Sequence, residues 1–424
     1  MSLELKGAER RGGVPTEVVS GPRSRRVVRG LCLLTLAVAA CTPDTADPAP
    51  AAREGGETLH PDAAAYASAE ATVPVHDVRL DHETRASAAS PGLTALEEFE
   101  NGVVIGVYEG PEKLMLGEIA AAVPLADGSV AVLDPSFSRV RVFSAQGEPA
   151  GFFGEPGEGP GGLEWPTGLS TDGASRVLVA DMGGRRLEGF ELGSDGATPV
   201  SRIVVEPVNA ETLDACMLGG RTFVTGFLAV RNERGAATGV SSASLVHEID
   251  EGGVPIHSFP EPYAALRNPL VAETLGMARL ACGETGEGAG MVWVAYALLG
   301  EVHAYDADGG LTWIARFSDL ATPRFLASET TIRPDRSGQS VLEHLSHASH
   351  ISSDLLAVQV TSRQLDREAG GPPLSYRTYL LDARSGEQVA AFQADHLVIG
   401  GGSGLAVLYR PAPFPQVSLV RGFQ

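Results

Sequence analysis

Val130-Ala-Val-Leu-Asp134 is followed by Arg139 five residues after the aspartate and by Phe143 nine after it. Val177-Leu-Val-Ala-Asp181 is followed by Arg186 and Phe190 at the same two offsets, and Val292-Trp-Val-Ala-Tyr296 keeps the spacing with Glu301 and Tyr305. Each run alternates over four or five residues, the pattern of a half-buried strand. Between them recur Asp127-Gly128, Asp172-Gly173, Asp195-Gly196 and Asp308-Gly309, pairs that supply the positive backbone φ of a tight hairpin turn. The aromatic at offset nine is expected to pack between neighbouring sheets. The Asp–Arg pair is expected to tie one strand to the next at an exposed rim, where it contributes at most about 1 kcal/mol and serves register more than stability.

The expected ends of the third strands, at Phe143, Phe190, Ile249, Tyr305 and Leu381, lie 47, 59, 56 and 76 residues apart, and a partial copy runs from His396 to Val420. Units of roughly 40–50 residues with several strands each are the signature of propeller blades. The segment Ser362–Leu374 reads as an insertion that lengthens the last interval. Six copies fit the chain, and the last lacks an outer strand. Val103-Val-Ile-Gly-Val-Tyr108 can supply it, which closes the ring and removes two exposed sheet edges.

On these stretches, residues 96–424 resemble the six-bladed β-propeller family related to NHL repeats. The matching motifs are Phe153-Gly-Glu-Pro-Gly-Glu-Gly-Pro-Gly-Gly-Leu-Glu-Trp-Pro-Thr-Gly168 leading into a blade and Val179-Ala-Asp-Met-Gly-Gly-Arg-Arg-Leu-Glu-Gly-Phe190 within it. The motif is clear in the first two full blades and weak after Val200. The expected fold class is therefore all-β, a six-bladed propeller behind a signal peptide and a disordered tether.

Composition agrees with many short strands. The 424 residues include 51 glycines and 28 prolines without a collagen period, and 43% are hydrophobic against 20% charged, so the bulk is an ordinary globular protein. A net charge of −21 repels phosphates and anionic head groups, which argues against nucleic acid as a partner.

Upstream, Arg23-Ser-Arg-Arg-Val-Val-Arg29 precedes the apolar run Leu31-Cys-Leu-Leu-Thr-Leu-Ala-Val-Ala-Ala40, the pattern of a signal peptide. The run is too short to span a bilayer, which takes about 20 apolar residues, and Asp44 and Asp47 follow it closely. Its end, Leu36-Ala-Val-Ala-Ala-Cys41, resembles a bacterial lipobox. The resemblance implies cleavage after Ala40 and acylation of Cys41, an anchor that becomes stable once two chains are attached. Thr42, in place of an aspartate, favours the outer membrane over inner-membrane retention. About 30 residues, including Glu4, Glu9 and Glu17, precede the apolar run, more than such signals carry, and this predicts a translation start further along. Residues 1–40 are thus read as signal peptide, 41–95 as a disordered tether rich in Ala, Pro and acidic residues, and 96–424 as the propeller.

Cys32 leaves with the signal peptide and Cys41 with the lipid, so Cys216 and Cys282 remain. Both open a blade at an equivalent strand position, and an oxidising compartment lets them bond. A disulfide between adjacent blades is expected. His344, His347 and His350 form the one histidine cluster. On a strand, period two puts His344 and His350 on one face and His347 on the other, so three-fold metal ligation is not expected and the histidines read as structural or channel-lining. The stretch Gly154–Gly162 lacks a Gly-Lys-Ser/Thr ending and carries Glu155 and Glu158, so it reads as an interblade turn and not a phosphate loop. No catalytic residue is identified.

Two functions follow. The first is a membrane-anchored, exported binding or scaffold module, held to the membrane by its lipid alone. Its partner would be an envelope protein or a small-molecule or peptide ligand, and no cofactor is expected. The alternative is a propeller enzyme. Six-bladed relatives include lactone hydrolases with calcium in the channel and lyases acting on peptides or sugars, and a metal-dependent site of calcium or zinc would then draw on His344, His350 and inner-strand carboxylates. Convergent acidic and histidine side chains in the channel would favour catalysis. Small or apolar walls would favour docking.

Overall fold

In the computed structural model the described residues are 57–59, 73–80 and 91–422, apart from 195, 206–207, 210–212, 232–236, 241, 243, 263–274, 287, 323, 328–331, 336–339, 365–373 and 403. Six antiparallel sheets follow one another along the chain, and the innermost strand of each packs beside that of the next until the sixth meets the first. Blade 1 comprises Ala121–Pro124, Val130–Asp134, Arg139–Phe143 and Pro149–Phe153; blade 2 comprises Pro166–Thr171, Arg176–Asp181, Arg186–Gly193 and Gly196–Val204. Blade 3 holds Ala215–Leu218, Arg221–Thr225, Val246–Ile249 and Pro255–Ser258, and blade 4 holds Ala278–Glu284, Gly290–Tyr296, Glu301–Asp306 and Leu311–Phe317. Blade 5 runs through Val341–Ser352, Leu355–Gln364, Leu374–Asp382 and Gln388–Ala394. All five residues expected to mark third strands lie in the third strands of blades 1–5.

Blade 6 comprises Leu397–Gly402, Leu405–Arg410 and Gln416–Arg421, and its fourth strand is Val103–Ile105, which pairs antiparallel with Val417–Leu419. The N-terminal closure read from the sequence is present, but shorter than Val103–Tyr108. Gly106 turns the chain away at φ +116°, where a Cβ would come within 2.6 Å of Pro415 O. Blade 4 gains a fifth strand that sequence reading placed in the tether: Val75–Val78 runs parallel to its outer strand, opposite Ile314–Phe317. The helical turn Pro91–Ala95 also belongs to the propeller, with Leu93 and Leu96 buried against blades 5 and 6. Val75–Val78 and Leu93 are alternating or isolated apolar residues in a polar stretch, too few to show as an element before the surface they cover is known.

Apolar clusters fill the wedges between blades. Trp293 and Trp313 of blade 4 pack with Leu356, Val358 and Tyr379 of blade 5, and Trp293 donates its indole N–H to Ala383 O at 3.1 Å. Burying each such aliphatic side chain contributes about 1.5–3 kcal/mol. The aromatics at offset nine do pack between sheets: Phe190 lies 4.7 Å from Phe153 of the preceding blade, and Tyr305 lies 5.1 Å from Phe259.

The Asp–Arg pair departs from expectation in both partner and place. Asp134 and Asp181 are fully buried, not on an exposed rim. In blade 2 Arg186 reaches Asp181 at 3.0 Å. In blade 1 Arg139 stands opposite Asp134 in register but stacks over Phe152, and Arg141 Nε donates to Asp134 at 2.9 Å instead. The residue at offset seven decides this: it is a donor, Arg141, in blade 1 and an acceptor, Glu188, in blade 2. Both aspartates also accept backbone N–H groups from the segment entering their own blade, Gly117 for Asp134 and Glu164 and Trp165 for Asp181. They therefore hold the interblade connection as well as the hairpin. Burial pushes the Asp134 carboxyl up, against the lowering effect of the Gly117 N–H and Arg141.

Candidate functional site

The inner strands of all six blades enclose a central cavity of about 620 Å³, within the size range of small-ligand pockets. Most of its wall is small or apolar: Ala121, Gly168, Ala215, Gly283 and Gly400 each come from a different blade. The close approach of the blades requires this. A Cβ on Gly400 would sit 1.8 Å from Ala122 O of blade 1, and one on Gly283 would sit 2.1 Å from His350 Nδ1.

Cys216 and Cys282 are bonded, joining the inner strands of blades 3 and 4 across a Cα separation of 5.8 Å. Cys41 lies outside the described residues. Asp214, two residues before Cys216, spans the same boundary: its Oδ1 accepts from Ala215 N and its Oδ2 from Leu280 N, each at 3.0 Å. Burial pushes this carboxyl up, while the nearby Arg279 charge and the two backbone donors pull it down.

The histidines are arranged differently from the period-two reading. In the inner strand of blade 5 the pairing runs His344 with Thr361, Leu345 with Val360 and then His347 with Gln359, so Ser346 is the extra residue of a bulge. A bulge shifts the alternation by one, which puts His344 and His347 on one face and His350 on the other. His350 stacks on Trp293 of blade 4, with centroids 5.0 Å apart. His347 lines the cavity and donates Nε2–H to Ala120 O at 3.2 Å, and its Nδ1 and that of His344 have no hydrogen-bond partner. Burial, reinforced by the Arg279 charge, holds His344 down to about 4 and His347 to about 3. Burial likewise takes His350 to about 4, against the raising effect of Asp354. All three imidazoles are neutral at physiological pH. Among the described residues no three His, Cys, Asp or Glu side chains are grouped to hold a metal ion.

Arg279 is the residue that sequence reading passed over. It enters from the inner strand of blade 4, lines the cavity, and acts electrostatically on Asp214 of blade 3 and on His344 and His347 of blade 5. The available signal was a charge at the head of each cysteine-bearing strand, Asp214 and Arg279, in otherwise apolar runs. The Gly154–Gly162 stretch is an interblade turn as expected. Its carbonyls at Gly157 and Gly162 accept from Arg186, each at 3.0 Å, and that at Glu158 accepts from Arg202 at 2.7 Å, the reverse of a phosphate loop, whose N–H groups face the ligand.

No protein-family model and no curated protein matches the chain. Some solved structures resemble it loosely. An exported protein of Bacteroides fragilis is 9% identical, with 79% of this chain and 88% of that one covered at a TM-score of 0.48. A member of the DUF4221 family from Bacteroides vulgatus is 10% identical, with 76% and 100% covered at 0.46. A virginiamycin B lyase from Staphylococcus aureus is 11% identical, with 74% and 83% covered at 0.40. None of these likenesses reaches a TM-score of 0.5.

Proposed function

We propose that this chain is an exported, lipid-anchored binding module whose propeller takes a small ligand in its central channel. In this reading residues 1–40 are a signal peptide, Cys41 carries the lipid that holds the protein to the outer membrane, on its periplasmic or outer side, and a tether within 41–95 separates anchor and propeller 96–424. The basic flank and apolar run ending at Cys41 support the anchor, and the Cys216–Cys282 bond supports an oxidising compartment.

The observation that carries the binding role is the channel wall: a cavity of about 620 Å³ with mostly small lining residues and one cation, Arg279. Thermal-shift screening of a metabolite library against the wild type and Ser353→Trp tests it, because Ser353 is an exposed hairpin residue on the cavity wall. Ligands whose stabilisation disappears in the variant support the reading. Equal stabilisation of both proteins by every hit would overturn it. Anchoring is tested by metabolic labelling with an alkyne fatty acid: label on the wild type and none on Cys41→Ser is expected, and label on both would refute acylation at that residue.

One observation favours the alternative, a propeller enzyme: the bulge at Ser346 brings His344 and His347 to one face beside Arg279. Against it, effective proton carriers titrate near the working pH, and these imidazoles lie far below it. The binding reading requires no metal, so chelation is expected to leave the melt unchanged. A lower melting temperature after chelation, with hydrolysis of lactones or esters, would favour a calcium- or zinc-dependent hydrolase.

A further inference from the structure

Arg141, Arg186, Arg221, Arg316, Arg377 and Arg410 each contact a carboxylate, as expected in a chain with 53 acidic and 32 basic residues. Arg279 has no such partner. It is half-buried at the cavity wall and makes no hydrogen bond or ion pair with any described residue. The nearby carboxylate, Asp214, already spends one oxygen on Ala215 N and the other on Leu280 N. An arginine in a partly desolvated channel that makes no hydrogen bond or ion pair with the described residues leaves its guanidinium donors for an anion to take.

We propose that the channel binds a small organic monocarboxylate, whose carboxylate group pairs with the Arg279 guanidinium. The inference rests on the channel being the ligand site and names the ligand's chemistry. A guanidinium presents a planar fork that matches two carboxylate oxygens. The limit of one negative charge comes from the surroundings. Arg279 is the single cation among the cavity-lining residues, Asp214 stands beside it, and His344 and His347 are held neutral and add no positive charge. A second negative charge on the ligand would meet Asp214 and the field of a −21 chain with nothing to offset it. The small residues of the wall leave room for an organic body behind the carboxylate.

The test is calorimetric titration of the full-length protein at neutral pH with monocarboxylates from acetate to indole-3-acetate, each beside its own amide, and with succinate and inorganic phosphate. At least one carboxylate is expected to bind at least tenfold more tightly than its amide and than succinate or phosphate. Arg279→Gln is expected to abolish that preference, and Arg279→Lys to retain part of it. Because Arg279 makes no hydrogen bond with any described residue, both variants should keep the wild-type circular dichroism spectrum. An amide that binds as well as its acid, or a preference that survives Arg279→Gln, would overturn the proposal while leaving the channel as the ligand site. Failure of acid and amide alike would overturn it too, and the Ser353→Trp screen then decides whether the channel binds any ligand.

Discussion

Asp214 Oδ2 accepts the backbone N–H of Leu280 at 3.0 Å across the boundary between blades 3 and 4. The carboxylate can sit there because its neighbour on the other side is Gly168, where a Cβ would come within 2.3 Å of Oδ1. One side chain thus ties blades 3 and 4 at the channel wall, in the space that Gly168 of blade 2 leaves open. Asp214→Ala removes a charged acceptor from two backbone donors, and a loss of about 1.5–3 kcal/mol per such bond is the usual scale. Urea unfolding should show a lower midpoint for Asp214→Ala and a smaller drop for Asp214→Asn, which keeps one acceptor oxygen. An unchanged midpoint for the alanine variant would remove Asp214 from the architecture.

The Cys216–Cys282 bond closes a loop with a sequence separation of 66 residues. On the chain-entropy model a loop of that length contributes about 4 kcal/mol. The double variant Cys216→Ser, Cys282→Ser should melt well below the wild type, and reducing agent should lower the wild-type melt while leaving the variant's unchanged. A reductant effect of equal size in both proteins would place the sensitivity elsewhere.

Ring closure depends on three residues far from the rest of blade 6. Ile105 is 2% exposed and packs with Val417 and Leu419, so Ile105→Ala should cost about 2–5 kcal/mol. Ile105→Asp puts a charge into the same cluster and should release the strand, exposing the edge at Gln416–Arg421. Hydrogen exchange of the Val417 and Leu419 amides reads this directly, and unchanged protection in the aspartate variant would show that Val103–Ile105 does not hold the ring closed.

Burial pushes His247, His344 and His350 down to about 4 and His347 to about 3. Their folded values lie below the unfolded value near 6.5, so the unfolded chain takes up protons first as pH falls. Stability is therefore greatest above about pH 6.5 and declines toward the folded values, by up to about 1.4 kcal/mol per pH unit for each group. Glu118, Asp134 and Asp214 are pushed up by burial and act with the opposite sign as they take up protons, so the histidine contribution is read as the difference between wild type and variant over the window from about pH 6.5 to 5. Melting temperature should fall through that window, and the double variant His344→Asn, His347→Asn should flatten the slope. A slope unaffected by the double variant would mean that these two imidazoles do not report their burial.

The repeat and its closure were legible because they rest on local regularities. Alternation marks Val130–Asp134 and Val177–Asp181 as strands, Asp-Gly pairs mark the hairpins, and the spacing from Asp134 to Phe143 recurs one blade later, so strand order and the Val103 pairing could be read from spacing alone. Cys216 and Cys282 were paired by their equivalent positions in adjacent units. Other features depend on neighbours distant in sequence. Arg141, and not Arg139, takes Asp134 because Arg139 stacks over Phe152 and offset seven holds the donor Arg141 where blade 2 has Glu188. The extra residue at Ser346 shifts His347 to the side of His344, a change of face that no count along the chain reveals because it arises from pairing with Gln359 and Thr361. Arg279 acquires its meaning last: a charge on an apolar strand is unremarked until the ring closes around it, Asp214 is found bonded to Leu280 and Ala215, and Arg279 makes no ion pair with any described residue.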